Sequence, residues 1–318
     1  MLEYFEKRTM KKTVVILLSD KRSGSTMFQR ELCKHADIQT VAYSPHTYLE
    51  THHWLKAAVM LQLPPSSFSG GKVYGGYGSR KNARLYMEDC IRKNVPDFKI
   101  PKDDRALIFE GWEALCDRFA SPVFFEKSPQ FLAHWGCLEL LLEWIEQTTF
   151  NVKVIGLTRN PLSVLYSAQA LFYTDPQKRQ HGWVEIHQNL ERVQARLSPE
   201  EFMLCRYEDL VQQPAQAFNT IARFIDVPTQ QAVGAGIHSS SVNKWATDPF
   251  FTFRLAKTTK EMAKRLNYTD SELENPEKPL PSRLLRLGHK VKGAVYLSAA
   301  RYKDRCVIPT LLRLKKNF

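Results

Sequence analysis

The 318-residue sequence predicts an α/β fold, a parallel sheet flanked by helices on both faces. Three observations predict it. Short apolar runs rich in β-branched residues alternate with helix-like stretches between Val14 and Ile225. The first of these runs to be followed by helices end in polar residues, twice with a helix-start signal. The composition, 43% apolar and 25% charged, is that of an ordinary globular chain.

Val14–Ser19 reads as a buried strand, with a helix from about Ser25 to His35 beyond the turn DKRSG. Residues 43–104 are less regular. They hold Pro64-Pro65 and the glycine-rich SGGKVYGGYGSR, and are expected to form an insertion with one helix near residues 51–61. A short strand is expected at Ala106–Phe109. Val123–Phe125 is a second buried strand. SPQFLAHWGCLELLLEWIEQ then reads as a helix, with Ser128 as cap and Pro129 at its first position. Val152–Leu157 is a third strand, and Asn160 caps a helix over Pro161–Phe172. An amphipathic helix over Gly182–Leu197, a strand at Phe202–Cys205 and a helix over Pro214–Ile225 complete the alternation. The expected organisation is a tail over 1–12, one domain over 13–280 with an insertion at 43–105, and a basic tail over 281–318.

The net charge is +12, but residues 281–318 hold ten Lys or Arg against one Asp. The first 280 residues therefore carry only +3. A nearly neutral body disfavours nucleic acid as the expected partner. The basic tail, mixed with Leu, Val and Tyr, suits peripheral contact with an anionic membrane; a helix packed on the body would read the same way. No stretch approaches the roughly 18 apolar residues of a membrane span. The first twelve residues lack the apolar core of a secretory leader. The six cysteines show no C-x-x-C pair and no metal spacing, so buried free thiols in a reducing compartment are expected. The expected location is the cytoplasm, with membrane association through the tail.

Ligands of parallel α/β sheets bind beyond the carboxyl ends of the strands. That rule gathers Arg22, Glu126, Lys127 and Arg159 at one edge. In the first loop, Gly24 lets backbone approach an anion, while Ser23, Ser25 and Thr26 add hydroxyls near a helix N-terminus. Arg22 adds a charge. A plain polar turn would look similar in this loop alone. No G-x-x-x-x-G-K-[ST] occurs, which disfavours a standard nucleotide-triphosphate loop. Ser163 and Ser167 are four apart and share a helix face, so Arg159 and Ser167 can approach one phosphate from the strand end and the helix.

RSGSTMFQREL, EKSPQFL, LTRNPLSVLYS and RYEDLVQQPAQAFNTIARFIDVP occur in this order. Together they resemble sulfotransferases that use 3′-phosphoadenosine 5′-phosphosulfate (PAPS). The resemblance covers roughly Thr13 to Trp245, and RSGST is closer to the carbohydrate and bacterial branches than to the Lys-containing loop of cytosolic steroid and phenol enzymes. It implies a P-loop-like, sulfotransferase-like sheet and PAPS as co-substrate. Arg22, Ser23, Gly24, Ser25 and Thr26 would hold the 5′-phosphosulfate, and Arg159 with Ser167 the 3′-phosphate. Tyr207 would lie near the adenine. SSSVNKWATDPFFTF resembles a late loop closing over the nucleotide, which brings in Lys244 and Trp245. FFEKSP resembles the Glu-Lys-Ser/Thr-Pro motif of glycan sulfotransferases, implying Glu126 as general base. Lys127 and Arg22 would then stabilise charge on the transferring group.

Glu110 and Glu113 are rival bases, and His46, His52 and His53 are kept as others because the phenol-type branch uses a histidine. No metal is expected. The acceptor implied is a hydroxyl, on a glycan or glycolipid, met by Tyr43, Tyr48, Trp54, Tyr74, Tyr77 and Tyr86 and by Lys72, Arg80, Lys81 and Arg84. Packing accounts for aromatics at such positions equally well. Two other functions stay open: a nucleotide or small-molecule kinase on a related fold, and a non-catalytic basic protein that binds nucleotides or nucleic acid.

Overall fold

The computed structural model describes residues 12–46, 48–64, 78–238, 242–279, 288, 291–293, 295–296 and 298. Five strands form one sheet: β1 (Thr13–Ser19), β2 (Ile38–Gln39), β3 (Val123–Lys127), β4 (Asn151–Thr158) and β5 (Phe202–Arg206). Their order is β2-β3-β1-β4-β5, and every pair is parallel. Register is set by β1, whose Thr13–Ser19 pairs with Asn151–Leu157 on one side, while Thr13–Leu17 pairs with Val123–Lys127 on the other. All carboxyl ends therefore reach one edge.

Between the strands lie α1 (Ser25–Leu32), α2 (His53–Met60), α3 (Arg80–Asn94), α4 (Asp104–Phe119), α5 (Trp135–Gln147), α6 (Pro161–Phe172) and α7 (Pro176–Gln194). After β5 come α8 (Tyr207–Gln212), α9 (Pro214–Phe224), α10 (Lys244–Thr247) and α11 (Lys257–Arg265). Compactness divides the chain into two units, residues 1–159 with 182–240, and residues 160–181 with 241–318.

The first unit holds the sheet. Every residue of β1 is buried, which is why its sequence is apolar on both faces rather than alternating. Val14, Ile16 and Leu18 belong to the larger core, with Phe124 of β3 and helices α2 to α5. Its centre is a tryptophan trio: Trp54, Trp112 and Trp144 have ring centres 5.4–6.1 Å apart. On the opposite face, Phe28 of α1 stacks on Phe125 at 6.0 Å and meets Phe218 of α9 at 5.6 Å.

In the second unit, Asn160 Oδ1 accepts from Leu162 N at 2.9 Å and so caps α6, as its sequence predicts. Trp245 Nε1 donates to Ser163 Oγ at 3.1 Å, tying α10 to α6. Gln180 Oε1 accepts from Ala256 N at 2.9 Å and from Thr259 Oγ1 at 3.2 Å, fixing the start of α11.

Three expectations about elements need correction. Residues 106–109 are not a strand but part of the first two turns of α4. Asp103 caps it by accepting from Ala106 N at 2.8 Å, and Leu107, Ile108, Gly111, Trp112 and Leu115 supply a helical stripe. The insertion carries α3 as well as α2. Ser79 is the cap of α3, and Ala83, Met87, Cys90, Ile91 and Asn94 form its buried side. Ser128 caps no helix. A 3₁₀ turn at Phe131–Ala133 intervenes and α5 begins at Trp135, because the Ser128 hydroxyl is committed to Glu126 and to His52 N. Tyr74, Tyr77, Lys72 and most of the basic tail lie outside the described residues. Among the described residues, no helix is long and apolar enough to cross a membrane.

Candidate active site

β1 ends at Ser19, and the chain turns through residues 20–24 into α1. Two residues of this turn take left-handed backbone, Arg22 at φ 73° and Gly24 at φ 93°. Such backbone at a non-glycine residue persists where its surroundings over-determine it. Here Asp20 O accepts from Ser23 N at 3.2 Å. Arg159, just past β4, donates from Nη1 to Arg22 O at 2.9 Å. Tyr207, first residue of α8, lays its ring against Gly24, where a Cβ would stand 2.4 Å from two ring carbons. The Arg159 guanidinium carbon lies 4.2 Å from the centre of the same ring, a cation–π contact. Arg22, Gly24, Arg159 and Tyr207, distant in sequence, are one cluster.

This cluster has the donors of an anion site. Partial burial first, then the charge of Arg159, lowers the pKa of Arg22, so two like charges are held close together. The first N–H groups of α1 have no partner within the helix. Ser23 Oγ is buried and has no hydrogen-bond partner among the described residues. Guanidinium charge, outward N–H groups and an orphaned hydroxyl together suit phosphate or sulfate oxygens.

The end of β3 is clasped by residues 50–52. Lys127 Nζ donates to Thr26 Oγ1 at 3.2 Å and to Glu50 Oε1 at 2.7 Å, and both charged side chains are buried. Gln130 Nε2 reaches Glu50 Oε2 at 2.9 Å. Burial alone would raise the pKa of Glu50, but hydrogen bonds from His52, Lys127 and Gln130 outweigh it and bring it down to about 2. Glu126 points to the other face of the sheet. Thr51 N, Thr51 Oγ1 and Ser128 Oγ all donate to its Oε1, at 3.3, 2.8 and 2.5 Å. Burial nonetheless pushes its pKa up to about 7, with the charge of Glu50 adding to the rise. The structure thus brings Lys127 to the loop of Arg22–Thr26, whereas the hydrogen bonds of Glu126 go to Thr51 and Ser128.

The remaining candidates separate clearly. Glu110 is exposed on α4, and Glu113 accepts from Trp144 Nε1 at 2.6 Å and Thr148 Oγ1 at 2.7 Å, a core-fastening role. Neither sits at a strand end. His53 is buried against Ile108 O at 2.8 Å. Trp54 belongs to the core, so it is no acceptor platform. Tyr43 and Tyr86 hydrogen-bond Asp89 and the Glu50 carbonyl, while Tyr48 is 56% exposed with its ring centre 5.6 Å from Lys127 Nζ. In the second unit, Ser167 lies on α6, Lys244 opens α10 and is exposed, and Trp245 is buried. Glu50, Thr51 and Gln130 escaped the sequence reading. The compact spacing of His46, Glu50 and His52 was the available signal.

Gly24→Ala is expected to destabilise the chain by about 1–3 kcal/mol in urea unfolding, because left-handed alanine and the Tyr207 ring both oppose it. A double-mutant cycle with Tyr207→Ala should be non-additive; strict additivity would mean the ring does not hold the loop.

The sequence matches the sulfotransferase family model over residues 15–231. No curated protein matches it in sequence. Among solved structures, the sulfotransferase domain from the curacin biosynthetic pathway is 22% identical with a TM-score of 0.52, over 81% of this chain and 98% of that one. The sulfotransferase domain from the Synechococcus PCC 7002 olefin synthase is 18% identical with a TM-score of 0.58, over 84% and 99%. The structural likeness supports the same parallel-sheet fold, and the family match spans more than half of the sequence. The chain belongs to the sulfotransferase family.

Proposed function

We propose that this sulfotransferase moves the sulfuryl group from PAPS to an acceptor hydroxyl on a carbohydrate or glycolipid. The observation that carries the donor assignment is the cluster of Arg22, Gly24, Arg159 and Tyr207 at the N-terminus of α1. A nucleotide with phosphates at both its 3′ and 5′ positions needs two cationic grips, and the cluster offers the guanidinium groups of Arg22 and of Arg159, the latter bonded to the Arg22 backbone carbonyl. The donor supplies the sulfuryl group and a stable phosphate leaving group. Arg22, Ser23, Ser25, Thr26 and the loop N–H groups hold the 5′ end. Arg159 holds the 3′-phosphate, with Tyr207 beneath it on the nucleoside side. Ser167, Lys244 and Trp245, in the second unit, enter this proposal through the resemblance alone.

Transfer forms a bond from the acceptor oxygen to sulfur, breaks the sulfur–oxygen bond to the 5′-phosphate, and sends the acceptor proton to a base. Lys127, on Thr26, offsets the charge that spreads over the equatorial oxygens and the leaving phosphate. Glu126 is the proposed base, since a pKa of about 7 matches neutral pH. Glu50 is the second candidate because it lies on the loop side, against Lys127. Tyr48, exposed beside Lys127, is the ring proposed to stack on a sugar face.

A base at Glu126 accepts a proton only when ionised, and below pH 7 it is protonated. Turnover should therefore rise with pH up to about 7 and level off above it. Glu126→Gln should remove that rise and slow transfer roughly 10²–10⁴-fold, with 3′,5′-ADP binding nearly intact. A base at Glu50, with a pKa of about 2, would instead give a profile flat across the same range.

Arg159→Ala should weaken binding of 3′,5′-ADP far more than of 5′-AMP in calorimetry; equal losses would sink the 3′-phosphate assignment. Tyr48→Ala should raise the acceptor KM about 3–10-fold with little change in kcat. An unchanged KM would take Tyr48 out of acceptor binding.

A further inference from the structure

His46, Glu50 and His52 meet at the start of the insertion. Glu50 Oε2 lies 3.0 Å from His52 Nε2 and 3.4 Å from His46 Nδ1, and the three atoms are all within 4.8 Å of one another. The two rings lie 4.7 Å apart, centre to centre. Metal–ligand bonds of about 2.1 Å to tetrahedrally disposed ligands place those ligand atoms about 3.4 Å apart. The His46–Glu50 edge already has that length; the His52–Glu50 edge, a hydrogen bond at 3.0 Å, lengthens by about 0.4 Å when an ion replaces its proton, and the third closes by rotation of His46, the most exposed of the three. The side chains of Glu50 and His52 are 4% and 8% exposed, so two ligands are fixed within the protein and one stands at its surface.

We infer that His46, Glu50 and His52 form a binding site for a borderline divalent transition-metal ion, zinc foremost. Two imidazoles and one carboxylate are a ligand set of zinc and of its neighbours in the first transition row, and they suit magnesium or calcium poorly. The surroundings fit a ligating carboxylate, whose second oxygen is ordinarily hydrogen-bonded. Lys127 occupies Oε1 at 2.7 Å, so the carboxylate stands between the ammonium and the ion as an anion shared by two cations. The Gln130 amide touches Oε2 through Nε2, and its own Oε1 is buried without a hydrogen-bond partner among the described residues. A water on the fourth metal position is a donor of the kind that oxygen lacks. Access runs past His46, whose side chain is 31% exposed.

The ion would sit one carboxylate away from Lys127, and occupancy would slow sulfuryl transfer. That consequence rests on the function proposed above; the binding itself does not. The test is a titration of the metal-free full chain with Co²⁺, followed by visible absorption, and with Zn²⁺, followed by calorimetry. One ion per chain is expected, with the absorption of four- or five-coordinate cobalt and no thiolate-to-metal band. His46→Gln, at the surface, should keep the far-ultraviolet circular dichroism of the wild type. It should weaken binding beyond the roughly 10–100-fold typical of losing an outer partner, and His52→Gln should act likewise. Absence of tight cobalt uptake, a thiolate band, or wild-type affinity in folded His46→Gln would each overturn the site. Inhibition by zinc that fails to appear, with binding intact, would count against the transfer reading instead.

Discussion

The hydrogen bond from the Arg159 guanidinium to the backbone carbonyl oxygen of Arg22 sets the terms for this end of the molecule. Arg159 grips the backbone of Arg22, and that contact fixes a left-handed residue which no local preference would favour. Both arginines follow strands of the longest ladder in the sheet, where β1 and β4 pair over seven residues. The ladder gives the contact its precision. Gly24 and Tyr207 depend on it next, because the ring can lie against the loop only where the loop passes without a Cβ. Lysine at either position would supply the charge without the planar fork that reaches a carbonyl and an anion together.

A second constraint acts at the neighbouring strand. Lys127 and Glu50 are both buried, and removing one partner of such a pair typically costs about 3–5 kcal/mol through the charge left behind. The pair therefore fastens the beginning of the insertion to the sheet. Thr51 on Glu126 and His52 N on Ser128 continue the same seam, residue against residue. Left-handed backbone at His52 ends the seam and turns the chain into α2. Position and charge are set together here, since the hydrogen bonds that hold the segment are those that keep Glu50 ionised.

The sheet was legible in the sequence because burial on both faces writes a strand as a continuous apolar run. Val14–Ser19, Val123–Phe125, Val152–Leu157 and Phe202–Cys205 all fall within observed strands, short of their ends by one or two residues. β2 was not legible, since two residues carry no period. Leu107 and Ile108 looked like a strand because a short apolar run has no period of its own; the stripe continuing through Trp112 and Leu115 decides for a helix. α3 was hidden by its polar face and by the glycines before it. In the candidate site, Arg22, Gly24 and Arg159 could be named from strand-end rules. Tyr207 could be named too, but not its contact with Gly24, and for Glu50 the one signal was its spacing between His46 and His52. Its role arises from a contact with Lys127 seventy-seven positions away, and no local pattern encodes that.

The dipeptide Glu126-Lys127 reads as a unit in the sequence, yet a strand sends its two side chains to opposite faces. Lys127 goes to the loop and α1, Glu126 to Thr51 and the side of the core. What reconnects them is the segment running from Glu50 to His52. Glu50 neutralises Lys127 at 2.7 Å, and its negative charge also raises the proton affinity of Glu126. The proton on Glu126 is therefore governed in part from the far side of the sheet. A carboxylate buried alone would be pushed up by desolvation and would stay there. Here the rise is opposed by three donors on one oxygen and assisted by one distant charge, so the balance near neutrality is a property of the seam as a whole.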